Sequence, residues 1–143
     1  MADWDSESFE NAMIADMREH DGVVTSGPLA GRPLLILTTL GAKSGKERRA
    51  ILTYTRDAGD YVVAGTAGGS PTTPSWVHNL EAEPRVTIEV ANRASAATAT
   101  IVDPGERDRL WDRHVAALPN FAEYPAKAGR VIPVIRITPS TED

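Results

Sequence analysis

Six short runs of strand character, most of them joined by turns of only a few residues, constrain this chain more than any other feature. They are 34–40 (LLILTTL), 49–56 (RAILTYTR), 61–65 (YVVAG), 85–90 (RVTIEV), 95–102 (SAATATIV) and 131–138 (VIPVIRIT). Gly41 to Gly45, Asp57 to Asp60 and Ala91 to Arg93 are turn sequences rich in Gly, Asp and Asn. Reversals this short join antiparallel neighbours, because a parallel crossover needs a dozen residues or more. So many short strands leave exposed edges unless the sheet closes on itself.

Helical patterns fill the remainder. Residues 6–19 place Phe9, Met13, Ile14 and Met17 on one stripe, with Asp5 or Ser6 as cap and Asp21-Gly22 as stop. Val23-Val24 is expected to begin a short strand. Thr73 and Pro74 open a second helix that runs to about Ala82, with Pro84 ending it. Asp103 caps a third, from Pro104 to about Ala117, with Leu110, Trp111, His114 and Val115 facing inward. Residues 119–129 read as irregular, and Pro133 marks an edge or a bulge in the last strand. The fold class is α+β, mainly antiparallel β: a small barrel with helices packed outside. At 143 residues it is one domain, 1–143.

Composition removes whole classes of function. There is no cysteine, so disulfides, thiol catalysis and cysteine-ligated zinc are excluded. No apolar run approaches the roughly 20 residues that span a bilayer, and the acidic start lacks the order of a signal peptide. A soluble cytoplasmic protein is expected. The net charge of −5 argues against nucleic acid as partner. Seven acids and one base before residue 22 carry −6, which leaves +1 for the rest and argues against an anionic membrane surface. Several catalytic signatures fail. Gly45-Lys46 is followed by Glu47, so the phosphate-binding Walker pattern is broken, and Leu40 stands where its first glycine belongs. Gly65, Gly68 and Gly69 do not make the dinucleotide fingerprint. Ser70 lacks the second glycine of a nucleophile elbow. His20, His78 and His114 have no metal-ligand spacing, so no metal site is expected.

Two clusters remain. Gly41-Ala-Lys-Ser-Gly45-Lys-Glu-Arg48-Arg49 combines two glycines, a hydroxyl and four bases against one acid. Its backbone N–H groups, Ser44, Lys43 and Arg48 suit a phosphate, although a solvated turn has the same composition. The stretch 68–80 (GGSPTTPSWVHNL) is a glycine loop feeding a helix start, which favours anions and lets the backbone approach a flat ligand.

At these clusters the sequence resembles the deazaflavin-dependent nitroreductase family. The blocks are LTTLGAKSGKERRAILTY, GGSPTTPSWVHNLEAEPRVTIEV and AGRVIPVIRITP, in family order, from about Leu34 to Pro139. The resemblance implies a split β-barrel of the FMN-binding type, with 8-hydroxy-5-deazaflavin coenzyme F-420 as cofactor and FMN as runner-up. It implies that Lys43, Ser44, Gly45 and Arg48 hold the phosphate and acidic tail, with Arg49 as partial support. Ala64, Gly65 and Ser70 would line the deazaflavin, and Pro74, Ser75 and Trp76 would lie beside its ring. The amino-terminal helix, 1–21, would cover the pocket. Ala42, Ala67, Glu47, Ile51 and Val77 depart from residues frequent in the family.

The implied activity is hydride transfer from reduced F-420 to a conjugated small-molecule acceptor. Enones and unsaturated lactones are favoured, with quinones and nitroaromatics also in range. Tyr124 is the first candidate to donate a hydrogen bond to the acceptor oxygen, with Tyr54 and Ser75 behind it. An FMN-dependent split-barrel oxidoreductase and a non-catalytic deazaflavin carrier are the alternatives. Split barrels often dimerise, so a homodimer is the assembly to test.

Overall fold

The protein is described by a computed structural model covering residues 6–20, 22–25, 33–65, 73–129 and 131–140. Its strands are β1 (Leu34–Leu40), β2 (Glu47–Thr53), β3 (Thr55–Asp57), β4 (Asp60–Ala64), β5 (Arg85–Val90), β6 (Arg93–Ile101) and β7 (Val134–Pro139). They form one antiparallel sheet in the order β2-β1-β5-β6-β7-β4-β3. The two ends of that order, β2 and β3, are separated along the chain by Tyr54 alone. The sheet therefore curls until its edges meet, which is the split-barrel architecture. The single strand expected over 49–56 divides at this point, because the chain there passes from one edge of the sheet to the other.

Period-two alternation sorts the strands onto two faces. Leu35, Leu37, Val63, Val86, Ile88, Ala97, Ala99, Ile135 and Ile137 form the inner cluster. Helix α2 (Ser75–Ala82) contributes Val77 and Leu80 to the same cluster, so it plugs the curl rather than riding on its back. On the outer face, α1 (Ser6–Glu19) sets Ile14 and Met17, with Val24, on Leu34 and Ile36. Ile51 and Met13 pack beside them. Arg18 then grips Glu89 through two bonds of 3.1 and 2.9 Å, and Asn92 Nδ2 donates to the Arg18 carbonyl at 2.9 Å. Helix α3 (Pro104–Ala117) begins at Asp103, whose side chain accepts from the Glu106 N–H at 3.0 Å, and buries Leu110 against Val62 and Val134. Among the described residues no helix is long and apolar enough to cross a membrane.

Several boundaries differ from the sequence expectation. Val23-Val24 forms no strand; Val24 is instead drawn into the α1 cluster. Pro74 itself is the N-cap of α2, one residue later than a Thr73 cap implies. Residues 119–129 are ordered as a 3-10 helix (Pro119–Glu123) followed by α4 (Tyr124–Ala128). Pro119 and Pro125 occupy first-turn positions, and Gly129 ends α4 in the left-handed region at φ 67°. The last strand starts at Val134, after Pro133, since proline has no N–H to give a ladder.

The β3–β4 connection is a two-residue hairpin, Asp57 opposite Asp60, with Ala58 at φ 52° and Gly59 at φ 91°. Positive φ at both central positions is the primed turn that fits strand twist, and alanine pays a steric penalty there. Ala58→Asn is expected to stabilise the protein by about 1 kcal/mol, read as a rise of a few degrees in Tm. An unchanged or lower Tm would contradict the turn assignment.

His114 is fully buried between α3 and β3, with Nδ1 2.9 Å from Thr55 Oγ1 and its ring edge-on to Phe121. Burial pushes its pKa down to about 4. The folded pKa lies below the unfolded value of 6.5, so the unfolded chain takes up the extra proton first. Stability should be complete above pH 6.5 and fall as the pH drops towards 4. Carboxylates stay ionised in both states down to about pH 5, so the upper part of this loss belongs to histidine. His114→Gln keeps a partner for Thr55 without titrating. Urea midpoints measured between pH 5 and 7 should fall with pH in wild type and vary distinctly less in the variant; parallel profiles would refute the assignment.

Candidate functional site

The β1–β2 hairpin is wired internally. Gly41 N–H donates to the Lys46 carbonyl and Gly45 N–H to the Gly41 carbonyl, both at 2.8 Å. Lys46 N–H donates to Ser44 Oγ at 3.1 Å, and Ala42 N–H to Asn79 Oδ1 at 3.0 Å. From sequence, Gly41 and Gly45 are expected to gather backbone N–H groups towards a ligand. Instead, four of these groups are spent on holding the turn, which leaves the side chains as its free donors. Gly45 supplies the left-handed residue, φ 69°, that the turn requires.

Gly41 marks the focus of the site. A Cβ built there would lie 2.7 Å from Ser44 Oγ and 3.8 Å from Arg48 Nε. A hydroxyl and a guanidinium therefore converge over a glycine, with Lys43 exposed on the same turn. That donor set fits an anionic phosphate. Alternation divides the other bases. Arg48 shares its side of β2 with Leu52, which packs on the inner cluster, whereas Arg49 shares its side with Ile51, under α1. The expected support from Arg49 would have to come from the opposite face.

Three elements meet beside the turn. Asn79 links it to α2, and β4 ends against the same helix. A side chain at Gly65 would strike Val77 Cγ2 at 2.9 Å and Pro133 Cγ at 3.0 Å. Gly65 N–H also donates to the Pro133 carbonyl at 2.9 Å, so this glycine is a packing joint between β4, α2 and the approach to β7. Ala64 is buried with Leu118, Phe121 and Ile132, and Tyr124 packs against that cluster. Tyr124 is half-buried at the start of α4, with its ring edge-on to Phe121 at 5.1 Å. Ser75 is exposed at the first position of α2, and Trp76 is half-buried against the inner cluster. The first turn of α2 contains no acid and its cap makes no side-chain hydrogen bond, so the helix itself leaves the positive end of its dipole uncompensated. Ser70 lies outside the described residues.

Tyr54 packs against the inner cluster, as Trp76 does, but stands apart from the turn. It lies beyond the far end of β2, about 20 Å along the strand from the hairpin. Its ring packs edge-on to Tyr61 at 5.1 Å, and burial raises its pKa. Its neighbours give it a closing role where the sheet edges meet. Conversely, sequence reasoning passes over Asn79 and Thr39. The available signal was a polar residue between the two buried positions Val77 and Leu80 on a short helix.

Comparison with known proteins agrees with this architecture. The sequence model of the F-420H(2)-dependent quinone reductases matches residues 11–139. An F-420H(2)-dependent quinone reductase of Mycobacterium tuberculosis is 36% identical over 132 residues, covering 85% of this chain and 89% of that protein. Among solved structures, an F-420-dependent reductase, FDR-A, is 37% identical with a TM-score of 0.67, over 74% of this chain and 94% of its own. A domain-swapped dimer is 30% identical with a TM-score of 0.69, over 93% and 99%.

Proposed function

The chain belongs to the F-420H(2)-dependent quinone reductase family and is a reductase that uses coenzyme F-420; on that premise we propose that its acceptor is a conjugated carbonyl compound, a quinone first, and that the β1–β2 turn holds the cofactor's anionic end. The convergence of Ser44 Oγ and Arg48 Nε over Gly41 carries this reading. Enones and unsaturated lactones share the conjugated carbonyl and come second. Nitroaromatics lack that oxygen and come last.

When bound, the cofactor supplies a hydride, the two-electron unit that a conjugated carbonyl accepts. The chain's own task is binding, orientation and a hydrogen bond at the acceptor. Lys43, Ser44 and Arg48 bind the phosphate. Ala64, Gly65, Pro74, Ser75 and Trp76 border the ring, and Tyr124 presents its hydroxyl to the acceptor oxygen. Negative charge grows on that oxygen as hydride adds, so a preplaced donor helps the transition state more than the ground state. A proton from Tyr124 or from solvent completes the reduction, and a quinone leaves as its hydroquinone. The domain-swapped relative supports a homodimer as the assembly.

Arg48→Ala is expected to weaken F-420 binding by about tenfold to a hundredfold, the loss of one charged hydrogen-bond partner, and to flatten its salt dependence. Arg49→Ala, on the other face, should change it by less than about threefold. Fluorescence titration with F-420, and with FMN as control, measures both. Equal effects of the two variants, or none from Arg48→Ala, would remove the turn from the cofactor site.

Tyr124→Phe keeps the ring and deletes the hydroxyl. Turnover of a naphthoquinone by reduced F-420 should fall by about tenfold to a hundredfold, with F-420 affinity unchanged. The same assay run with a cyclic enone and a nitroarene ranks the acceptors. Wild-type turnover in Tyr124→Phe would leave the tyrosine a packing residue. If none of the acceptors is reduced by a protein that binds F-420, the chain would be a carrier.

A further inference from the structure

We infer that Asn79 is the positioning residue that sets the cofactor turn against helix α2, and that it acts on F-420 affinity without touching the cofactor. This rests on the turn being the anion site. Asn79 lies on the inner side of α2, 6% exposed, between the core positions Val77 and Leu80. A polar side chain is costly there unless its hydrogen bonds are made. Its carbonyl oxygen accepts the Ala42 N–H at 3.0 Å, and its amide nitrogen donates to Thr39 Oγ1 at 3.2 Å. Thr39 is itself 1% exposed, on the last inward position of β1 before the turn. The amide orientation is not arbitrary. A backbone N–H can only donate, so the oxygen must face Ala42 and the nitrogen must face Thr39.

The geometry explains why one amide does what an apolar residue could not. Among the described residues, the other hydrogen bonds that shape the turn are internal to it: Gly41 with Lys46, Gly45 with Gly41, Lys46 with Ser44. They fix its conformation, and the β1–β2 ladder, which runs to Leu40 opposite Glu47, roots it in the sheet, but none of them sets the tip of the turn against α2. Among the described residues, Asn79 bonds the turn to another element, α2, and it joins the turn at the residue next to Gly41, where Ser44 and Arg48 converge. Through this clip the cationic turn and the N-terminal end of α2 keep a constant separation, so one anionic ligand can address both. The bond is to the Ala42 backbone, so the clip survives although Ala42 lacks a functional side chain.

The test is a set of F-420 titrations and steady-state assays on the full chain. Asn79→Leu should raise the Kd and KM for F-420 by about tenfold, the loss of a buried neutral hydrogen bond pair, while kcat at saturating F-420 and the KM for a naphthoquinone stay within about twofold. Combined with Arg48→Ala, it should cost less than the product of the two single effects, because a misplaced turn has little of its arginine contact left to lose. Should Asn79→Leu fold poorly, Thr39→Val carries the same test: it frees the amide nitrogen and should weaken F-420 binding several-fold, and Thr39→Ser should restore it. Multiplicative effects in the double variant, or unchanged F-420 affinity in both Asn79→Leu and Thr39→Val while Arg48→Ala weakens binding, would overturn the positioning role alone. If Arg48→Ala has no effect either, the turn is not the anion site and both readings fall.

Discussion

A single covalent constraint organises this molecule. Strands β2 and β3 lie at opposite ends of a seven-strand order, yet only Tyr54 separates them in the chain. Two peptide links reach no further than about 7.6 Å, so the edges of the sheet cannot part. A flat sheet of seven strands would hold them roughly six strand spacings, about 28 Å, apart. Closure is therefore built into the covalent chain before any side chain packs. It creates a concave face and a convex face, and each helix is then assigned by which face its apolar stripe can reach. Tyr54 and Tyr61, edge-on at 5.1 Å, with Arg56 over the Tyr61 ring, fill the place where the edges approach.

The concave face needs filling at its open side, and α2 does this with Val77 and Leu80. A helix that enters a barrel brings its polar residues close to strand ends. That is how Asn79 reaches both Thr39 and the backbone of the next turn. The helix that plugs the curl with Val77 and Leu80 thus also carries the amide that is bonded to the basic hairpin. Gly65 belongs to the same economy of space, since any side chain there would push α2 away from β4.

The convex face is held differently. Arg136 on β7 bridges Asp57, Asp60 and Glu106 at 2.8–2.9 Å, and Arg109 adds two bonds of 3.2 Å to Asp57. Arg109 and Arg136 keep the Asp57 carboxyl well below the ordinary carboxylate range. The network ties the β3–β4 hairpin, β7 and α3 into one unit, on the side of the sheet away from α2. Close to it, His114 stays neutral because burial leaves no solvent to stabilise a proton. Polar bonding on this face locks α3 against the strands, and the basic β1–β2 turn lies elsewhere.

Local chemistry made much of this legible in advance. The strands 34–40 and 85–90, the Asp103-capped helix, the helix 6–19 and the turn bases Lys43 and Arg48 are all properties of consecutive residues: alternation, capping and charge. The family was legible as well, because its motifs are local. What sequence could not reveal was which strand edges meet, since pairing between β4 and β7 joins residues 70 or more positions apart. Nor could it show that Arg48 and Arg49, adjacent in the chain, serve opposite faces, or that Tyr54 closes the sheet far from the hairpin. Asn79 is the clearest case. Its type is ordinary for a short helix, and its bond to the turn exists only because curling the sheet carries Ala42 to within 3.0 Å of its oxygen. Residue chemistry set the donors and acceptors available, and only the closed barrel decided which of them would find each other.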